Sequence, residues 1–155
     1  MDRMAETQTM VSHCPYSNVN LSSGIAPIRK LIERNIPIGL GSDISGGHIV
    51  SMAKVLTEAI GLSKMKWAEV DPNYAPLTLS EAFYMATKGG GQFFGHVGSF
   101  EKGYELDALI IDDTSLFDLN ERSLEERLER WLYVGDDRHI IERYVAGRVV
   151  PSPKG

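Results

Sequence analysis

Strand-like and helix-like spacings alternate along the first half of the chain. Met10 to His13 is a short apolar-rich run that ends at Cys14-Pro15. Proline drives the residue before it into extended conformations, so the run reads as a strand entering a loop. Tyr16 to Gly24 is dense in Ser and Asn and reads as that loop, closed by Gly24. Over Ile25 to Asn35 the spacing is helical: Ile28, Leu31 and Ile32 form an apolar stripe, while Arg29, Lys30, Glu33 and Arg34 face away. Asn35 is a candidate C-cap, and Ile36 to Gly41 reads as a second strand entered through Pro37. From Ile49 to about Trp67 a long helix is expected to bury Met52, Val55, Leu56, Ala59, Ile60 and Leu62. The order strand, helix, strand, helix predicts an α/β fold with a parallel sheet. Its two polar clusters, His13 to Ser23 and Ser42 to His48, would then share the C-terminal side, where such folds keep their active sites.

The pattern changes after Asp71-Pro72. Thr78-Leu79-Ser80-Glu81 predicts a capping box opening a helix to Lys88, and Gly89-Gly90-Gly91 predicts its end. Leu106 to Ile111 is a strand candidate. Ser123 to Tyr133 is an amphipathic helix with Leu124, Leu128, Trp131 and Leu132 inward. Ile140 to Val150 reads as two strands joined at Ala146-Gly147.

Composition narrows the function classes. A chain of 155 residues with 43% apolar and 24% charged residues suits one globular core. A net charge of -5 argues against a nucleic-acid partner. No run approaches the roughly 18–20 apolar residues of a membrane span, and the polar start is unlike a signal peptide. Cys14 is the single cysteine, so an intrachain disulfide is excluded and a cytoplasmic location is expected. Asp2 to Glu6 favours helix but has no cap before it; it reads either as a frayed tail or as the last turns of a helix.

Asp43 is the sharpest chemical candidate. A carboxylate at the mouth of an apolar strand can ligate a metal or take a proton from water, and it can equally cap the next element. His13, at the end of the first strand, either lines a pocket or is held structurally. Cys14 would point to the opposite face from His13, which disfavours a nucleophilic pair. His48 could lean over the same mouth, or it could be held structurally. The glycine triplet lacks the following Lys-Ser or Lys-Thr of a phosphate loop. No His-x-His occurs, so a complete zinc site is not assembled from these residues.

The segments His13-Cys14-Pro15-Tyr16-Ser17-Asn18, Gly39 to Gly47, Ala86 to Gly90, Gly103 to Ala108 and Tyr133 to Arg138 resemble the guanine deaminase family of the amidohydrolase superfamily. The resemblance covers essentially the whole chain. It implies the last part of a (β/α)₈ metal-dependent hydrolase barrel over 1–95, with Met10 to His13 and Pro37 to Leu40 as its final strands. Residues 96–155 would contribute part of a small β-sandwich domain with one helix. It further implies Zn²⁺ in the complete enzyme, with Asp43 as metal ligand and proton acceptor, and His13 touching a small-molecule purine in purine catabolism. The family's other ligands match nothing here, so the chain alone is expected to be inactive. Two readings stay beside this one: an amidohydrolase acting on another aminated or chlorinated heterocycle, and a non-catalytic associating segment. Exposed strand edges imply a homo-oligomer.

Overall fold

The computed structural model describes residues 1–116 and 119–151. Helix α1 (Asp2–Glu6) leads into strand β1 (Val11–His13), which pairs in parallel with β2 (Ile38–Leu40). Val11 lies opposite Ile38 and His13 opposite Leu40. Two further bonds extend this ladder: Val11 N–H donates to Pro37 O and Gly41 N–H to His13 O, each at 2.9 Å.

The stretch expected as a loop begins instead as helix α2 (Pro15–Asn20). Proline at the first helical position loses no hydrogen bond, since that N–H has no partner in any helix, and Asn18 N–H donates to Cys14 O to close the first turn. Helix α3 (Ile28–Glu33) starts later than its spacing predicts, because Pro27 stands just before it. Asn35 takes the left-handed conformation (φ 52°) that ends such helices. Helix α4 (Met52–Glu69) buries Val55, Leu56, Ala59 and Ile60 as expected, whereas Met52 at its first turn is exposed.

Helix α5 (Leu79–Tyr84) opens with the predicted capping box: Glu81 N–H donates to Thr78 Oγ1 and Thr78 N–H to the Glu81 carboxylate. Arg29, expected to face solvent, turns inward to meet the same carboxylate. Its Nη1 and Nη2 donate to Glu81 Oε1 and Oε2 at 2.6 and 2.9 Å, while Nε and Nη2 also reach Ala75 O and Pro76 O. The fork satisfies carbonyls in an irregular stretch that has no ladder of its own. This pairing holds the Glu81 carboxyl down to about 2. Beyond Tyr84 the helix widens into a π-helical turn (Met85–Gly89). There Gly90 lies against β2, where a Cβ on Gly39 would come within 2.8 Å of the Gly90 Cα. The glycine triplet, expected to end the helix, instead stays helical through Gly91 and lets helix and strand touch.

Strands β3 (Ala108–Ile111), β4 (Ile140–Val145) and β5 (Arg148–Val149) form an antiparallel sheet. Positive φ at Ala146 and Gly147 makes the predicted turn. Helix α6 (Leu124–Val134) carries a second capping box, Ser123 with Glu126. Trp131 and Leu132 are buried as expected, but Leu124 is exposed. One apolar cluster joins Ile28, Leu31, Ile36, Ile38, Leu56, Ile60, Leu77, Met85, Trp131 and Leu132. No helix among the described residues is long and apolar enough to cross a membrane.

Candidate active site at the strand mouth

The two polar clusters meet at the C-terminal end of the β1–β2 pair. His13 closes β1 and is buried, 4% exposed. Burial without a compensating charge pushes its imidazole down to about 4, so the ring is neutral near pH 7. Asp43 stands three residues beyond β2, exposed and in the left-handed region (φ 47°). That conformation folds the chain back at once: Gly47 N–H donates to Asp43 O at 2.7 Å, and Ile44 bridges to Gly47.

Helix α2 forms the opposing wall. Asn20 Nδ2 donates to Gly46 O at 2.8 Å. The Tyr16 and His48 rings meet edge to face at 5.0 Å, which brings His48 to this side. Ser17 is buried at 5% exposure behind Gly46. Cys14 turns instead toward Ser12, its Sγ 3.6 Å from Ser12 Oγ. Ser17 and Asn20 are structural members of this mouth that sequence reasoning missed. The one available signal was the glycine pair Gly46-Gly47, which marks a close approach without naming the partner.

The outlying candidates have local partners. His96 stacks on Tyr104 at 5.3 Å, and His139 Nδ1 accepts from Asp136 N–H at 3.1 Å. Asp113 pairs with Arg127 and Asp136 with Arg138. Among the described residues, no three His, Cys, Asp or Glu side chains gather as a metal cluster. A catalytic zinc takes three protein ligands and a water. The single exposed carboxylate of Asp43 therefore suits one position in such a sphere and does not make the whole of it.

A family model described as "Amidohydrolase family" matches residues 1–150. A crystal structure of guanine deaminase from C. acetobutylicum, with guanine bound in its active site, superposes with a TM-score of 0.91 at 50% identity, covering 96% of this chain and 35% of that one. The guanine deaminase of Dictyostelium discoideum is 41% identical over 150 residues, 92% of this chain and 33% of its own length. An adenosine deaminase from Xanthomonas campestris, solved with bound zinc, shares the fold at a TM-score of 0.77 and 23% identity. The chain spans about a third of the length of the curated relatives it matches.

Proposed function

This chain belongs to the amidohydrolase family, and on that premise we propose that it works as the C-terminal third of a zinc-dependent guanine deaminase. The complete enzyme would convert guanine and water to xanthine and ammonia. The observation that carries this reading is the 50% identity and 0.91 TM-score, over 96% of the chain, to a guanine deaminase holding guanine. In the proposed assembly β1 and β2 are the last two strands of a (β/α)₈ barrel, and β3 to β5 belong to a small β-sandwich domain. The other zinc ligands come from the part of the enzyme that this chain does not match.

Zinc, when bound, supplies a Lewis acid that lets water ionise near neutral pH. Asp43 would have two roles beside it, holding the cation and accepting the proton released by the attacking water. Its exposed position at the strand mouth leaves both oxygens free for this. His13, neutral at pH 7, can exchange a hydrogen bond with the purine ring without bringing a second positive charge next to the metal. With one metal donor, the chain by itself is inactive.

The test is a hybrid in which this chain replaces the matching C-terminal segment of the C. acetobutylicum guanine deaminase. The hybrid should release ammonia from guanine in a zinc-dependent way, and Asp43→Asn should lower kcat by roughly 10²–10⁴-fold. The unfused chain should stay at background. A folded, zinc-loaded hybrid that ignores guanine but converts another aminated or chlorinated heterocycle would overturn the substrate assignment. Full activity of Asp43→Asn would overturn the role of that carboxylate.

A further inference from the structure

We propose that Gly46 is a positioning residue for Asp43, because the side chain it lacks leaves the space that the Asp43 carboxylate occupies. This rests on the reading of Asp43 given above. A Cβ built on Gly46 would lie 2.8 Å from Ser17 Oγ, 2.9 Å from Asp43 Oδ2 and 3.3 Å from Asp43 O. Hydroxyl and carboxylate thus both border the space of one missing methyl group.

The two neighbours differ in their freedom to move. Ser17 is buried on α2, and α2 is tied to this very turn by the Asn20 to Gly46 hydrogen bond at 2.8 Å. The Asp43 side chain is exposed. A methyl group at position 46 therefore displaces the carboxylate rather than the helix. Nor does the backbone forbid alanine there, since Gly46 lies outside the left-handed region.

Gly47 next to it is a different case. A Cβ there would run into Ser42 O and come within 3.4 Å of Ser17 N, both backbone atoms. Gly47 is needed to build the turn, whereas Gly46 is needed to aim what the turn carries. Misaiming a ligand by a fraction of an ångström loosens a metal without unfolding the protein.

The hybrid enzyme again provides the test, with zinc affinity by chelator competition and the visible spectrum of the Co²⁺-substituted protein as readouts beside turnover. Gly46→Ala should keep Tm within about 4 °C. It should weaken zinc about tenfold or more, alter the Co²⁺ spectrum and lower kcat with little change in KM. Combining it with Ser17→Ala, which opens the buried side for the methyl, should recover part of each loss. If Asp43→Asn is harmful while Gly46→Ala keeps parental zinc affinity and spectrum, the positioning role fails and the Asp43 reading stands. If Asp43→Asn itself leaves zinc binding and turnover intact, the Asp43 reading fails first. A Gly46→Ala protein that unfolds would overturn the proposal too, since the methyl would then have broken the turn.

Discussion

The parallel pair and the antiparallel sheet hold their side chains on opposite terms. In β2 the first two residues, Ile38 and Gly39, are buried, and α3, α4 and the π-helical turn close around them. In β3, β4 and β5 no described side chain is fully buried; Leu109, Ile110, Val145 and Val149 all stand out in solvent. Apart from Ile111 and Ile140, which pack against the common cluster, the antiparallel sheet relies on its ladder, its turn and links at the rim. Ala146 N–H donates to Asp107 Oδ1 at 2.8 Å, and Arg127 grips Asp113 at 2.7 Å. Rim pairs of this exposure contribute little. Of this half, Trp131 and Leu132 of α6 are the fully buried members of the common core. The mouth with Asp43 is thus carried by the half that has the core, which suits a site that must hold a carboxylate still.

The largest effect should come from emptying that core. Leu56 on α4 is 1% exposed and belongs to the central cluster. Leu56→Ala should cost about 2–5 kcal/mol, through lost transfer energy and the cavity left behind, read as a lower urea midpoint. A loss below about 1 kcal/mol would mean that the cluster is loosely packed and that the contrast between the two halves is false.

Acid titration sharpens the comparison, because both strongly shifted groups with buried or half-buried side chains, His13 and Glu81, lie on the side that carries the core and not in the antiparallel sheet. His13 sits near 4 when folded against an ordinary 6.5, so the unfolded chain binds that proton more readily. Its stabilising share is complete above about pH 6.5 and lost as the pH falls toward 4. At most it amounts to about 3 kcal/mol, from the shift and about 1.4 kcal/mol per unit. Glu81 sits near 2 against 4.5, so its share remains at pH 4.5 and goes between there and about 2. Two successive losses of stability on acidification are expected. His13→Gln should flatten the upper one and Glu81→Gln the lower; a single transition untouched by either substitution would refute the assignment.

Local features were readable in advance and contacts at a distance were not. The capping box at Thr78, the Ala146-Gly147 turn and the buried stripe of α4 depend on residues a few positions apart. The parallel pairing of β1 with β2 followed from the strand–helix alternation. Helix α2 was hidden because its Ser and Asn content imitates a loop, and proline at its first position can be read either way. Arg29 looked like a solvent residue, since nothing near it in sequence announces Glu81, fifty-two positions on. At the mouth, Asp43 stood out through its place after an apolar strand, and the resemblance to a known family favoured metal ligand over cap. Ser17, Asn20 and the space at Gly46 depend on α2 meeting the turn after β2, which no short motif spells out.

The smallest effect should fall on the open face of the antiparallel sheet. Leu109 and Leu124 line a shallow hollow of about 220 Å³ with Ile111, Leu128 and Trp131, and both are more than half exposed. Truncating a side chain that still faces water removes little transfer energy. Leu109→Ala and Leu124→Ala should each stay within about 0.5 kcal/mol of the parent in urea titration. A loss above about 2 kcal/mol for either one would require that water is excluded from this face in solution, which the chain's own described residues do not do. Light scattering on the same samples would then have to show an assembly larger than one chain, with the strands β3 to β5 as its seam.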